Sequence, residues 1–289
     1  MAPFAQEDAG LPEDARGLGS DRDHPGGGNA PAADDPAQRS WTWEIAPHFP
    51  MVLFRISGKE PAAVDRFDVL NSLDQRVAAR SILRHPFYVA WEQGRLTRDQ
   101  LATYARVYYP HVRAFPGYLR AAMADAADPA VRAELAANLA DETSDPKPHA
   151  ELWLDFAAAL GLAREAVEAA EPAPAARAAV ETFERLARRG AASGLAALYA
   201  YESQQPEVSQ SKLAGLREHY GIHDEEALAY FNVHATADIR HRQGERDALA
   251  RCLEAGADPD AVSGAAGAAL DAYWALLDGV CEEAGITAC

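Results

Sequence analysis

The stretch His234-Ala-Thr-Ala-Asp-Ile-Arg-His241 constrains the fold of this chain more than any other. In a helix, His234, Asp238 and His241 project from one face, because steps of four and three residues return to the same side. Ala227 and Phe231 precede them on that face, so the face is expected to point into a core. Buried ionisable groups cost free energy unless they are paired or bind a metal. The stretch therefore indicates either half of a metal site or a core histidine pair with an aspartate between them.

Helical periodicity runs through most of the chain after about residue 61. Thr97-Arg-Asp-Gln100 is typical of a capping box, and the helix it opens is expected to be interrupted at Pro116. Asp128-Pro129 is typical of a second helix start. Further helices are predicted from His149 to Leu160, over 180–187, 195–202, 208–216 and 225–253, and through a last one that contains 262–280. No alternating strand or βα repeat appears, so an all-α bundle of seven or eight helices is predicted.

The N-terminal part differs in composition from the rest. Residues 1–40 are rich in Gly, Pro, Ala and Asp, with hardly any large apolar residue, and are predicted to be a disordered extension. Residues 41–70 are predicted to be an arm that packs on the domain, and their apolar run from Phe49 to Ile56 could be a short strand or extended chain. Residues 71–289 are assigned to the helical domain itself.

Charge and hydropathy exclude several classes of partner. The net charge of −17 argues against nucleic acid or an anionic membrane surface as the main partner. No basic and apolar N-terminal signal appears, and no apolar run approaches the roughly 18 residues of a membrane span. A cytoplasmic protein is therefore expected.

Two glutamates and a further histidine stand on inward helix faces. Glu142 follows Leu139 by three residues, and Glu202 follows Leu198 by four, so each carboxylate continues an apolar stripe. His149 heads the stripe of another helix, and Pro146 and Pro148 prevent it from sharing an uninterrupted helix with Glu142. The candidate metal ligands are Glu142, His149, Glu202, His234, Asp238 and His241. Such a set resembles the ligands with which helical bundles hold two iron or manganese ions, although 44 acidic residues also place some on apolar stripes by chance.

Seven runs between about residues 75 and 255 carry a family resemblance. They are His85-Pro-Phe-Tyr-Val-Ala-Trp91, Tyr108-Tyr-Pro-His-Val-Arg-Ala-Phe-Pro116, Asn138-Leu-Ala-Asp-Glu142, His149-Ala-Glu-Leu-Trp153, Leu198-Tyr-Ala-Tyr-Glu-Ser-Gln204, Ser211-Lys212 and Tyr230-Phe-Asn-Val-His234. In this order they resemble the chlamydial CADD family. That family is a branch of the haem-oxygenase-like dimetal oxidases and is related more distantly to TenA and PqqC. Its metal ligands fall on the same six positions, and it implies a haem-oxygenase-like bundle.

The resemblance implies oxygen chemistry. It predicts a non-haem di-iron oxidase with two Fe ions, with manganese as the alternative metal, O₂ as co-substrate and an external reductant. CADD-like proteins are similar to para-aminobenzoate synthases that convert one of their own tyrosines, with a lysine as the source of the amino group. The matching positions are Tyr88 for the ring and Lys212 for the lysine, with Tyr104 and Tyr201 as nearby candidates. A homodimer is expected.

Lys212 and Tyr88 each have a simpler interpretation. The chain has 27 basic residues, of which only three are lysines, and arginine cannot supply a neutral amine. Lys212 could nevertheless be an exposed helix position. Tyr88 could be a core aromatic beside Phe87 and Trp91.

Three other functions stay open at this point. One is a di-iron oxidase that cleaves C–C bonds or oxidises nitrogen in an amino-acid-derived substrate of a natural-product pathway. A TenA-like hydrolase would need an inward cysteine, and Cys252, Cys281 and Cys289 are poorly placed for that role. A binding protein is the third, because the CADD name comes from a proposed association with death domains.

Overall fold

The fold is known from a computed structural model, which describes residues 65–144 and 147–287. All regular structure in these residues is helical. In chain order the elements are α1 Arg66–Ala79, a 3₁₀ turn Ile82–Arg84, α2 Pro86–Glu92, α3 Arg98–Ala124, α4 Pro129–Thr143, α5 His149–Ala159, α6 Arg164–Glu168, α7 Pro174–Ala187, α8 Ala191–Glu202, α9 Gln205–Glu218, α10 Glu225–Glu254 and α11 Pro259–Glu283. The predicted all-α class is confirmed. The described residues hold eleven α-helices rather than seven or eight, because α1 is not among the predicted spans and α2 and α6 are too short to show a clear period in the sequence.

The predicted extension of residues 1–40 and most of the predicted arm lie outside the described residues. Helix α1 begins at Arg66, behind the N-cap Asp65, and so includes the last residues of the stretch 41–70. Pro146 also lies outside the described residues, between α4 and α5. No helix in the described ranges is long and apolar enough to cross a bilayer.

Several helix starts follow the capping chemistry of the sequence. The Thr97 hydroxyl accepts the Gln100 backbone N–H, and the Gln100 side chain accepts the Thr97 N–H, which confirms the capping box. Asp128 caps α4, whose first residue is Pro129, and Asp224 caps α10. These caps fix where three of the helices around the site begin.

Helix α3 does not end at Pro116, so that prediction is wrong. It runs from Arg98 to Ala124 with both Pro110 and Pro116 inside it. Each proline removes one helical hydrogen bond. One face of α3 stays buried on both sides of the prolines, from Leu101 to Ala122, against α4, α5, α7 and α8. Tertiary packing along this length outweighs the lost hydrogen bonds.

Helix α8 is the most deeply buried element, and it carries Glu202 at its last position. Every residue from Gly194 to Glu202 is buried. Gly194 lies against Ala122 of α3, where a Cβ on the glycine would come within 2.5 Å of the alanine Cβ. A residue without a side chain is therefore needed for α8 to approach α3. Helix α10 packs on α4, α5, α8 and α9, so it faces every other helix that bears a predicted ligand.

Candidate metal centre

The six predicted ligands come together as two buried groups. One consists of Glu142, His149 and His234, and the other of Glu202, Asp238 and His241. In each group the candidate ligand atoms lie within 4.8 Å of one another, and no member is more than 5 % exposed. The side chains come from α4, α5, α8 and α10. The six side chains converge in the structure, whereas their role as metal ligands stays a prediction.

Glu142 is the centre of the first group. His149 Nδ1 lies 2.8 Å from Glu142 Oε1, and His234 Nε2 lies 3.8 Å from the same oxygen. Burial acts to raise the pKa of Glu142, but the two imidazoles outweigh it and hold the pKa at about 2. His234 Nδ1 lies 2.7 Å from the Tyr230 carbonyl oxygen, which accepts an N–H. This bond orients the ring with Nε2 towards Glu142, and Nε2 is then the nitrogen that can bind a metal in place of a proton.

The second group is organised around His241. Its Nδ1 lies 3.1 Å from Asp238 Oδ1 and 3.5 Å from Glu202 Oε1, while its Nε2 lies 2.8 Å from Asp141 Oδ2. Burial acts to lower the pKa of His241, but Asp238 and Glu202 outweigh it and raise the pKa to about 11. Asp141 can hold the far side of the imidazole, which is how carboxylates orient metal-binding histidines. Asn138 Nδ2 donates to both Glu202 oxygens, at 3.1 and 2.9 Å, and so orients that carboxylate.

The connection between α4 and α5 separates two of the predicted ligands, as expected. Glu142 lies in the last turn of α4, which ends at Thr143, and His149 is the first residue of α5. Between them, Lys147 forms an ion pair with Asp155 of α5. The side chains of Glu142 and His149 are in contact although they belong to two different helices.

The donor set fits a pair of transition-metal ions. Each group combines imidazole nitrogen with carboxylate oxygen, a mixture that suits iron and manganese. Asp238 Oδ2 is buried and has no hydrogen-bond partner within the described residues. A buried acceptor without a donor is costly, and a bound cation would satisfy it. The residues present are therefore compatible with the dimetal centre.

The cavity beside these groups is very small. It measures about 10 Å³ and is lined by Val112, Phe115, Glu142, Tyr201, Glu202, Tyr230 and His234. That volume is about the space of one water, whereas pockets for small-molecule substrates measure roughly 300–1,000 Å³. The cavity has room for a molecule the size of water or O₂.

Lys212 occupies a second buried site, walled by aromatic rings. It is 2 % exposed, which excludes the interpretation of an exposed helix position. Its Nζ donates to Tyr104 Oη at 2.6 Å and lies 5.2 Å from the ring centroid of Tyr88. Among the described residues no carboxylate forms an ion pair with it. Burial lowers the pKa of Lys212 from 10.5 to about 7, so much of the amine is neutral near neutral pH.

Two of the three predicted tyrosines lie beside Lys212, and the third lies at the small cavity. Tyr88 and Tyr104 are both completely buried beside Lys212, and burial raises the pKa of each phenol well above 10, so both stay protonated. The Tyr88 hydroxyl has no hydrogen bond of normal geometry within the described ranges. Tyr201 instead lines the small cavity, and its hydroxyl lies 2.9 Å from that of Tyr108. Tyr88 is thus both a core aromatic and a neighbour of the amine.

Comparison with known proteins assigns this chain to a family. Residues 102–274 match the profile of a haem-oxygenase-like family described as iron-containing redox enzymes. The match covers more than half of the chain. The chain belongs to this iron-containing redox enzyme family.

Two relatives of this chain are named 4-aminobenzoate synthases. The 4-aminobenzoate synthase of Chlamydia muridarum is 41 % identical over 221 residues, which cover 76 % of this chain and 93 % of the relative. The 4-aminobenzoate synthase of Nitrosomonas europaea is 37 % identical over 222 residues, or 73 % of this chain and 90 % of the relative. The predicted resemblance to the CADD-like branch is confirmed.

A solved structure supports the fold of this chain. A domain from Shewanella denitrificans with a haem-oxygenase-like fold aligns with a TM-score of 0.65 at 20 % identity, covering 74 % of this chain and 92 % of that one. At this identity the likeness shows the fold alone. The predicted haem-oxygenase-like bundle is confirmed.

The cysteine placement gives no support to a TenA-like hydrolase. Cys252 lies in the last turns of α10 beside Asp128, and burial raises the pKa of its thiol. Cys281 lies on α11 and borders a surface groove with Asp278. Neither Cys252 nor Cys281 lines the cavity at the ligand groups, and Cys289 lies outside the described residues.

Three polar residues at the site were not predicted. Asn138 and Glu245 are buried, while Asp141 is half-buried. Helical spacing could have found two of them: Glu245 follows His241 by four residues, and Asn138 precedes Glu142 by four. Asp141 is only half-buried and stands next to Glu142, outside the apolar stripe of α4, so periodicity gives no signal for it.

Proposed function

We propose that this protein is an O₂-dependent di-iron oxidase that makes 4-aminobenzoate from its own Tyr88, with Lys212 as the source of nitrogen. The observation that carries the proposal is the burial of the Lys212 amine 5.2 Å from the Tyr88 ring centroid, in a chain whose relatives are named 4-aminobenzoate synthases. A lysine with no carboxylate partner in an aromatic wall costs free energy. A chemical role for the amine explains why that cost is tolerated.

Tyrosine has the correct carbon skeleton for this product. 4-Aminobenzoate carries an amine and a carboxylate at opposite ends of one ring, and tyrosine carries a hydroxyl and a methylene group at the same positions. Lys212 Nζ must bond to the ring carbon in place of the hydroxyl, which leaves as water, and the Nζ–Cε bond must then break oxidatively, with Cε left as an aldehyde. The Cα–Cβ bond must also break, with Cα left in the chain, and Cβ must be oxidised to the carboxylate. O₂ is the oxidant for these changes, and an external reductant supplies the electrons that O₂ reduction requires beyond those taken from the protein.

The two ligand groups would hold the iron ions. Glu142, His149 and His234 would bind one ion and Glu202, Asp238 and His241 the other, and the bound pair would supply O₂ activation. The protein around them excludes water, since the cavity has room for about one small molecule. Tyr201 lines that cavity and presents its hydroxyl to Tyr108, away from bulk solvent.

The residues around Lys212 prepare the amine. Desolvation keeps much of it unprotonated, and only the unprotonated form has a lone pair to react with a ring carbon. The bond between Lys212 Nζ and Tyr104 Oη fixes the end of a flexible side chain. Tyr104 therefore acts as a positioning residue.

The alternative function is oxidation of a diffusible amino-acid-like substrate. Within the described residues the cavity at the six ligands is too small for such a substrate. A groove of about 450 Å³ lies at the surface between α1, α8, α9 and α10, but it contains none of the six ligands. Its arginines are already engaged, Arg246 with Asp74 and Arg242 with Glu207. An internal tyrosine needs no entry path, so a small cavity favours the self-derived ring.

The test of this proposal is the pH dependence of a single turnover. The yield of 4-aminobenzoate after one exposure to O₂ is expected to rise from pH 6 to pH 8, because the pKa of Lys212 is about 7 and the neutral amine is the reactant. Lys212→Met, which is uncharged at every pH, is expected to make no product, and Lys212→Arg likewise because a guanidinium keeps its charge. Product from Lys212→Met at any pH would remove the lysine from the reaction.

Stability supplies a readout of the same pKa that does not depend on activity. Between pH 7 and 10.5 the unfolded chain binds a proton at Lys212 that the folded chain has lost, so the free energy of unfolding rises with pH in this window. Lys212→Met should lack that rise. Urea unfolding of both metal-free proteins at pH 7 and pH 9 measures the difference.

A further inference from the structure

Glu245 is a buried carboxylate that the six predicted ligands do not include. It lies on α10, four residues after His241 and seven after Asp238, so it shares their face. It is 1 % exposed, and neither of its carboxylate oxygens has a hydrogen bond of normal geometry within the described residues. Glu202 of the second ligand group is the charged neighbour that acts most strongly on the Glu245 carboxyl group. A buried side chain with both oxygens unpartnered faces the second ligand group.

We propose that Glu245 is a seventh metal ligand, completing the group of Glu202, Asp238 and His241. The inference rests on the proposed dimetal function and extends it to a residue outside the predicted set. With Glu245, this half of the site has three carboxylates and one imidazole, whereas the other half has one carboxylate and two imidazoles. The two metal positions therefore differ in ligand charge.

Charge balance supports the seventh ligand. The buried carboxylates at the site are then Glu142, Glu202, Asp238 and Glu245, with a total charge of −4 when ionised. Two divalent ions carry +4, so four carboxylates and three neutral imidazoles make the loaded site neutral. With only three carboxylates, one positive charge would remain in a buried site, which is costly. Four carboxylates are also the number with which other helical bundles hold two iron ions.

The competing role for Glu245 is that of a protonated carboxyl that donates a hydrogen bond to Glu202 and never touches metal. Glu245→Gln separates the two roles. The amide has the same shape and still donates an N–H to Glu202, but it lacks the negative charge of a ligand. Glu254→Gln is the control, because Glu254 is the last residue of the same helix and pairs with Arg66, away from the ligand groups.

The experiment is a titration of metal-free full-length protein with Fe²⁺ under argon, with bound iron measured after equilibrium dialysis. We expect two ions per chain in the unaltered protein and in Glu254→Gln. In Glu245→Gln we expect one ion to bind as before and the affinity for the second to fall by more than about a hundredfold. That exceeds the roughly 10–100-fold loss typical when a residue behind a ligand is changed.

Melting temperatures give a second readout. Metal-free Glu245→Gln should melt no lower than the metal-free unaltered protein, because it removes an unpartnered buried carboxylate, and Fe²⁺ should stabilise it less. If the glutamine variant does not fold, Glu245→Asp replaces it, with the carboxylate withdrawn by one methylene and the same weakening expected.

The outcomes separate this inference from the proposed function. An affinity loss smaller than about a hundredfold in a folded Glu245 variant overturns direct ligation, while two tight ions in the unaltered protein leave the dimetal function intact. Fewer than two ions in the unaltered protein overturns the dimetal function itself, and the seventh ligand with it.

Discussion

His234→Ala and Glu202→Ala are each expected to lose at least one of two iron ions per chain. His234 offers Nε2 to the first group, and its opposite nitrogen is held by the Tyr230 carbonyl. Glu202 is oriented by two hydrogen bonds from Asn138 and belongs to the second group. Truncation to alanine removes the donor atom. The affinity for the affected ion should fall at least about a hundredfold.

The measurement is elemental analysis of protein purified without chelator, together with the melting temperature before and after iron is added. His223→Ala is the control, because His223 is an exposed histidine at the start of α10. It should keep two ions and the full stabilisation by metal. Full occupancy in both His234→Ala and Glu202→Ala would remove these residues from the site.

Tyr88→Phe is expected to abolish 4-aminobenzoate while leaving the iron content unchanged. Phenylalanine keeps the ring in the same pocket, beside Phe87 and the Lys212 amine, but it lacks the hydroxyl that the amine must replace. Stability should change little, because the Tyr88 hydroxyl has no hydrogen bond of normal geometry within the described residues. The readout is product measured by chromatography after one exposure of iron-loaded protein to O₂.

Tyr118→Phe is the matched control for this variant. Tyr118 is equally buried on α3 but contacts Phe183 and His111 rather than Lys212. It should form product as the unaltered protein does. Undiminished product from Tyr88→Phe would mean that the ring comes from elsewhere, either another tyrosine or a diffusible substrate.

The helical architecture could be predicted because the helices that build the site carry strong local signals. Asp224 caps α10, and the predicted span of 225–253 ends one residue before the observed Glu254. At Pro116 the local signal misleads, since proline lowers helix stability by itself but α3 is buried on both sides of it. The packing that decides the outcome comes from α7 and α8, far away in sequence.

The candidate ligands could be predicted because periodicity places polar groups on apolar faces. It gave Glu142 and Glu202 as inward positions, and both are buried beside the histidines of α10. It does not tell which of these side chains meet, since the two groups combine residues from four helices. Asp141 escapes the pattern altogether, because its contact with His241 depends on how α4 crosses α10.

The environment of Lys212 could not be predicted from spacing. The aromatic rings around its amine come from α2, α3, α5 and α10, and they include Tyr88, Tyr104, Trp153 and Phe231. A lysine in a helix is most often exposed. Only the assembled fold shows that this one is enclosed and that its pKa is lowered by burial.

Mass spectrometry of the protein before and after a single exposure to O₂ tests the central claim most directly. The chain should be produced with ¹³C in its tyrosine rings and ¹⁵N in its lysines, loaded with iron and reduced, with no small-molecule substrate added. We expect mass changes confined to the two peptides that carry Tyr88 and Lys212, which supply the ring and the nitrogen. We also expect 4-aminobenzoate that contains both labels, at no more than one molecule per chain, because each chain has a single Tyr88. An unaltered Tyr88 peptide in fully iron-loaded protein that has consumed O₂ would contradict this claim.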